Sequence, residues 1–442
     1  MSLFNVSSGY TSTWKNSEKL VIKFLFIYFI ILSVPLDWKY YISLFSIDWT
    51  GLNFYGLFTL SKYVPVFFGL DGYASLIIPV FLAAIGTIIW QKSKEPDYDS
   101  LYYWLRVIVR YRLAIGIIAY GFIKLFPLQM PYPSLSNLHT NYGDFYAWKI
   151  YFHTVGIAQW YESFLGFVEI LAGVLLLFRR TVTFGSGIII GFTGNVFAAN
   201  LAYDAGEQVY SLYLVILAVF LFAYDAPRLY SLLIRERYTI ANKFQPTFNS
   251  KNIKNIRIAL KAFIAVFLLV LGVTTYANYT TESYKLPKTT GLNGSYGYYN
   301  VREFKLNNQL IPYSRTDSNR WQNLVFEKWA TISIKIAKPI KLDRSIADGY
   351  HSNDIDRTYE SAGVGGRRYF SYDADTVKKK LYLINKNKNH SEEKFELNYQ
   401  FLNDSTIVLS GVNEKKDSIH AVLDKINRKY MLYEGRRKPV RL

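Results

Sequence analysis

Before about residue 280 the apolar residues gather into runs that approach the ~20 positions a helix needs to cross the hydrocarbon core of a bilayer. The runs fall at 18–36, 73–91, 107–126, 161–178, 183–203, 208–225 and 258–277. No other feature constrains the fold as strongly. In lipid each backbone polar group has to be satisfied internally, and only helices and closed barrels achieve this. The segment 37–72 is aromatic and semi-polar and reads as interfacial helices or a loop, with an eighth span as the alternative. Beyond residue 280 the clustering stops, and the chain reads as an ordinary soluble domain.

Basic residues favour the cytoplasmic side of a membrane. Lys15 and Lys19 precede the first run, and Lys92, Lys94 and Arg106 follow the second. Arg179 and Arg180 follow the fourth, and Arg228, Arg235, Arg237, Lys243, Lys251, Lys254 and Arg257 lie between the last two. The loop 202–207 has no Lys or Arg. This pattern predicts about seven spans with the N-terminus inside and the C-terminal domain outside, which in a Gram-negative cell is the periplasm. "ILSVPLDW" after the first run lacks a small-residue cleavage site, so that run is expected to be an uncleaved anchor.

A formal charge of +18 raises the possibility of nucleic acid as a partner. Much of that excess is the topological signal just described, and no aromatic-interleaved basic module accompanies it, so no nucleic-acid partner is expected. Anionic lipid headgroups are. The chain has no cysteine. This excludes disulfides, Cys-ligated zinc, iron–sulfur clusters, covalently attached haem and any thiol relay within the chain. His139, His153, His351, His390 and His420 read as surface-loop residues, and no pair is placed for a b-type haem or another metal.

The polar residues inside the apolar runs carry the functional question. In "FLGFVEILAGVLLLFRR", Phe164 to Arg180, Glu169 lies roughly 15 Å from the arginines at ~1.5 Å per residue, close to the bilayer midplane. A charge there costs at least ~2.5–3.5 kcal/mol, so Glu169 is expected to face the bundle interior and pair or be protonated. Arg112 and Lys124 are the candidate partners. They recur with Gly116 and Tyr120 every four residues, and so share one face of the third span. In the fifth, Asn195, Asn200 and Asp204 form a polar stripe near the outer end. One reading is a helix-locking pair. The other is a polar cavity open to the outside, lined by Lys124, Glu169, Asn195, Asn200 and Asp204.

The stretch from "YGFIKLFPLQMPYPSL" through "NYGDF" and "EILAGVLLLFRRT" to "NVFAANLAYD" resembles the DoxX-like integral membrane proteins. The longer form of that family, found in Bacteroidetes-type bacteria, has extra N-terminal spans and a C-terminal β domain. The resemblance covers nearly the whole chain. It implies a DoxX-like four-helix core and a redox-associated membrane subunit, since the family takes its name from a quinone-linked complex. A quinone-like lipophilic cofactor is therefore the one it suggests, and a periplasmic or membrane protein the partner. By position, the family-like polar residues are Arg112, Tyr120, Lys124, Gln129, Asp144, Glu169, Asn195, Asn200, Tyr203 and Asp204. Longer members often carry a cysteine before the Tyr-Asp pair. Ala202 stands there in this chain, so thiol chemistry at that site is excluded.

After the connector "TTESYKLPKTTGLNG" the pattern changes to a period of two. "YGYYNVREFKL", "NLVFEKWATISIKIA", "RRYFSYDA", "KKKLYLINK", "EKFELNYQFL" and "STIVLSG" alternate apolar and polar residues between turn signals. About eight short strands fit an antiparallel barrel resembling the lipocalins. A barrel filled with side chains is favoured over a ligand-holding one, with Trp321, Trp329 and Tyr399 in its core. The expected domains are an N-terminal transmembrane and interfacial region 1–98, the DoxX-like bundle 99–236, a basic cytoplasmic linker 237–255, a last span 256–279 and an extracytoplasmic β domain 280–442.

Two functions follow from these expectations. One is a redox-associated subunit with a quinone-like cofactor beside Lys124 and Glu169. The other is a non-catalytic membrane scaffold whose β domain docks a partner. A transporter finds no support in an inverted repeat or broken helix pair.

Overall fold

The computed structural model describes residues 14–49, 54–67, 69–70, 72–239, 246, 251–281, 287–343, 354–357 and 360–434. His351 and much of the expected linker 237–255 lie outside these residues.

In chain order the helices begin with α1 (Asn16–Ser33), α2 (Trp38–Ser46), α3 (Phe54–Ser61), α4 (Ala74–Trp90) and α5 (Tyr98–Leu125). Two shorter ones follow, α6 (Leu135–Leu138) and α7 (Ala147–Gly156). Next come α8 (Gln159–Leu177), α9 (Val182–Tyr203), α10 (Gln208–Ala223), α11 (Ala226–Leu233) and α12 (Lys251–Thr281). The chain forms two compact units. The first is Met1–Gln129 with Trp160–Thr280, and the second is Met130–Gln159 with Thr281–Leu442. The segment 130–159, expected within the bundle, thus groups with the β domain.

In the first unit, four apolar stretches among the described residues are long enough to cross a membrane: Asn16–Ser46, Gln159–Leu177, Val182–Tyr203 and Asn252–Thr280. The pair α10 and α11, bent by 63° between them, makes a fifth if counted as one span. Helix α4 is apolar but only 17 residues long. Helix α5 has 28 residues, but Arg106, Arg110, Arg112 and Lys124 interrupt its apolar character. Each expected span therefore falls on a helix, while length and apolarity alone mark fewer of them as spans. In the segment 37–72, α2 and α3 have 9 and 8 residues, and neither is long enough to add a span by itself.

Local chemistry sets several helix ends. Asp97 caps α5 by accepting from the backbone of Asp99 and Ser100. Asp204 ends α9 in the left-handed region, at φ 52°, and its N–H returns to Asn200 O. Glycine brings α5 and α8 together. A Cβ on Gly121 would lie 2.6 Å from Ile170 Cγ1 and 2.9 Å from Gly166 O, and one on Gly166 would run into the backbone nitrogen of Leu125. Small residues at such crossings let backbones approach where lipid supplies no hydrophobic drive.

In the second unit the strands are β1 (Gly297–Leu306), β2 (Gln309–Leu310), β3 (Asn323–Phe326), β4 (Thr331–Lys335), β5 (Arg367–Asp375), β6 (Lys380–Asn385), β7 (Lys394–Asn403), β8 (Thr406–Asn413) and β9 (Ser418–Lys425). A helical turn, α13 (Met431–Glu434), follows. Neighbours pair antiparallel from β1 through β3 to β9, and β9 pairs back onto β1. The two-residue β2 only folds back onto β1, so the other eight strands close the barrel. Asn307 and Asn308, at φ 52° and 61°, make the β1–β2 turn that their sequence predicts. The expected strand pattern omitted β9. Its Ser418, His420 and Asp424 interrupt the apolar signal, yet it is the strand that closes the barrel.

The barrel is filled. Tyr299, Phe304, Trp321, Phe326, Ile332, Phe370, Leu383, Leu397, Tyr399 and Leu409 are among the side chains of one continuous core. Trp329 is buried but lies outside that cluster. Strands β3, β4 and the start of β5 are buried on both faces. The inward face carries Leu324, Phe326, Ile332, Ile334 and Phe370, and the outward face Asn323, Val325, Ser333, Arg367 and Tyr369.

Segment 130–159 covers part of this outward face through a polar seam. Ser136 N donates to Glu327 Oε1 at 2.8 Å, and Ser136 Oγ meets Ser333 Oγ at 2.7 Å. Arg367 donates to Asn323 Oδ1 at 2.6 Å, Ser333 Oγ at 3.1 Å and the carbonyl of His139 at 3.3 Å. The His139 ring stacks on Tyr298, with centroids 3.6 Å apart. His139 and His153 are therefore half-buried parts of this unit, not the surface-loop residues expected. Burial, with the positive charges of Arg367 and Arg428, pushes His139 down to about 4, and burial with Lys149 pushes His153 down to about 3.

Candidate functional site

The face of α5 that carries Arg112, Gly116, Tyr120 and Lys124 turns into the first unit, and each position meets a polar group from another helix. Lys124 pairs with Glu169 of α8. Both side chains are buried, with exposures of 5% and 2%. Arg112 is twelve residues earlier, about 18 Å along the helix axis, which decides between the two expected partners. Glu169 Oε2 has no hydrogen-bond partner among the described residues.

One turn back along α5, Tyr120 donates to Glu207 Oε2 at 2.9 Å, and Lys62 meets Glu207 Oε1 at 2.5 Å. The Tyr120 ring lies 5.0 Å from that of Tyr210 on α10, and the Lys62 ammonium sits 5.7 and 5.8 Å from the two centroids. At Gly116 a Cβ would stand 2.6 Å from the Tyr210 hydroxyl, so only glycine leaves room for that tyrosine. The hydroxyl itself has no partner among the described residues.

Arg112 works differently. Its guanidinium donates to Tyr213 OH at 3.0 Å, to Ser61 O at 2.9 Å and to Tyr63 O at 2.5 Å. It therefore satisfies carbonyls at the C-terminal end of α3, where a cation also complements the helix dipole. Tyr213 passes the chain on, donating to Leu32 O at 2.9 Å.

The remaining expected residues divide. Asn200 is buried and belongs to the network, since its Oδ1 accepts from Glu207 N at 3.3 Å. Asn195, Tyr203 and Asp204 are exposed, so the expected stripe along α9 does not line an interior. Gln129 follows α5, and its Oε1 makes no hydrogen bond among the described residues. Asp144 belongs to the second unit, where it accepts from Asn141 Nδ2 at 3.0 Å and lies against Gly365. It lines a cleft of about 450 Å³ with Tyr146, Lys338 and the glycine-rich turn 363–366.

Glu207, Lys62, Tyr210 and Tyr213 were not expected in the site. The available signal was Tyr210 and Tyr213, three residues apart in the first turns of a mostly apolar helix just after a lone glutamate. The arrangement supplies two ion pairs, one buried and one half-exposed, bridged by stacked tyrosines. No group of three or more metal-ligating side chains occurs among the described residues.

No family model matches the chain, and no solved structure matches it. It is similar to the uncharacterized protein YwoB of Bacillus subtilis (strain 168), 37% identical over 79 residues. That stretch is 18% of this chain and 49% of the relative, so the chain spans about half the length of the curated relative it matches.

Proposed function

We propose that this chain is a non-catalytic scaffold of the bacterial inner membrane, related to the DoxX-like proteins. Its helices anchor it through about seven spans, with the N-terminus cytoplasmic, and its periplasmic barrel module presents a docking face to a partner protein. One observation carries the reading. The intramembrane carboxylate most suited to chemistry, Glu169, is held by Lys124 between two helices in backbone contact at Gly121 and Gly166. A pair packed this way fixes helix register, a known use of buried polar groups. The filled barrel agrees with it, because a core without a lumen binds through its outer surface.

A second reading rests on Glu169 Oε2 and the Tyr210 hydroxyl, two buried polar atoms without partners among the described residues. They suit the carbonyl oxygens of a quinone-like molecule, which would bring redox chemistry while these residues positioned it by hydrogen bonds. Between α5 and α8 a ring does not fit at the level of the glycines, so such a molecule would have to approach from α10.

Small-molecule mass spectrometry of the purified chain, beside a Glu169→Gln/Lys124→Met variant, separates the two readings. The scaffold reading expects no lipophilic ligand in either protein. A quinone present in the wild type and lost in the variant would overturn it.

A further inference from the structure

The second unit carries an aromatic, basic and apolar patch that the barrel does not need. Tyr132 stacks on Tyr433 with centroids 5.7 Å apart, and Tyr430 meets Tyr433 edge-on at the same distance. The Lys328 ammonium lies 5.4 Å from the ring of Tyr296. Met431 is 72% exposed and Tyr433 58%, and Leu432, Ile426 and Tyr296 are each about two-fifths exposed. Arg428 and Lys429 are exposed between Ile426 and α13. In sequence the basic run continues through Arg436, Arg437, Lys438 and Arg441, with Glu434 the only acid from 428 to 441.

Chain connectivity limits how far this patch can lie from the ends of α5 and α12. Tyr132 follows the last residue of α5, Leu125, by seven positions, and Tyr296 follows the end of α12, Thr281, by fifteen. Both strands of chain that leave the helical unit thus feed into the same patch. Seven extended residues span at most about 25 Å. The return strand enters α8 through Trp160 and Tyr161, both exposed in its first turn, as residues at a membrane–water boundary are. Tyrosines with exposed Met and Leu, flanked by Lys and Arg, match the chemistry of the headgroup layer, where amphipathic rings sit at the interface and cations meet phosphate.

We propose that the patch formed by Tyr132, Tyr296, Met431, Leu432 and Tyr433, with Arg428 and Lys429, docks onto anionic phospholipid headgroups of the membrane that holds the helices. Such contact restrains the barrel on the bilayer surface. The inference needs the helices to be membrane-inserted, and it stands whether the bundle is a scaffold or a redox subunit.

The cysteine-free chain allows a clean test. The full-length protein carrying Leu432→Cys is labelled with an environment-sensitive fluorophore and placed in nanodiscs of phosphatidylcholine alone or mixed with phosphatidylglycerol. Val377→Cys, at the exposed turn between β5 and β6, is the reference. The expected result is a blue-shifted Leu432 label, quenched by headgroup-proximal nitroxide lipid at least threefold more than the Val377 label. Quenching should rise with phosphatidylglycerol and fall in Arg428→Gln/Lys429→Gln. Water-like, unquenched emission at Leu432 overturns the proposal, and so does quenching indifferent to phosphatidylglycerol. Shielding that appears equally in detergent and grows with protein concentration also overturns it, assigning the patch to a second copy of the chain.

Discussion

Removing either partner of the Lys124–Glu169 pair should destabilise the helical unit far more than removing both. Each side chain is almost completely buried, so Lys124→Met leaves a carboxylate in the bundle without its ammonium, and Glu169→Gln leaves the ammonium without its carboxylate. Breaking a buried pair from one side costs about 3–5 kcal/mol, whereas replacing both members with apolar groups of similar size is often neutral. Lys124→Met/Glu169→Leu should therefore recover most of the loss, with a coupling of at least about 2 kcal/mol in the double-mutant cycle. The assay is thermal or denaturant unfolding of the purified full chain followed by tryptophan fluorescence, with the four proteins in one detergent. If the single variants lose less than about 1 kcal/mol, the value of an exposed pair, then water reaches the site and the packing argument fails. If instead the double variant loses as much as the sum of the singles, the two residues act separately, and the scaffold reading loses its main support.

Three other outcomes follow from the geometry. Gly166→Ala puts a methyl group against the Leu125 backbone, which cannot move aside as a side chain would, so the loss should exceed the ~1–3 kcal/mol of ordinary overpacking; unfolding of the same detergent-solubilised protein measures it. Arg367→Met leaves Asn323, Ser333 and the His139 carbonyl without their donor, at about 1–3 kcal/mol for each group left unsatisfied. Hydrogen exchange should then speed up at the amides of Ser136 and Tyr146 while those of β7 and β8 stay protected. Burial pushes Glu360 up to about 7, above its ordinary 4.5, so the folded chain holds a proton that the unfolded chain releases. Stability should fall as pH rises from about 4.5 to 7, by up to about 3 kcal/mol at 1.36 kcal/mol per unit, and level off above that; Glu360→Gln should remove this slope.

What was legible in the sequence, and what was not, has a physical cause at each position. The four-residue spacing of Arg112, Gly116, Tyr120 and Lys124 puts them on one face whatever surrounds α5, so that face could be read directly. Their partners depend on how the other helices are rotated. Helix α9 is apolar nearly all round, so its sequence does not say which side turns inward, and Asn195 is exposed while Asn200 is buried. Extending the α9 stripe led to Asp204 as the outer carboxylate. Asp204 instead adopts the left-handed conformation that ends the helix, and the turn brings Glu207, three residues on, to Tyr120 and Lys62. A helix cap thus exchanged one acid for another.

The barrel shows a related limit. Period-two alternation reveals the inward residues but treats the outward ones as solvated. Asn323, Glu327, Ser333 and Arg367 therefore look like ordinary surface polar groups, and Ser136 and His139 like loop residues. Only strand register puts Arg367 beside Lys335 and Asn323 opposite it across β4, making one polar row. That row is met at Arg367 by the carbonyl of His139, from a segment more than two hundred positions earlier in the chain. A buried arginine is costly unless its hydrogen bonds are met, and here a carbonyl from segment 130–159 supplies one of them. The excursion between α5 and α8 is therefore part of the barrel's own structure. A barrel domain cut at residue 280 would leave Glu327 and Ser333 without Ser136 and Arg367 without the His139 carbonyl, and should fold less stably than one supplied with residues 130–159.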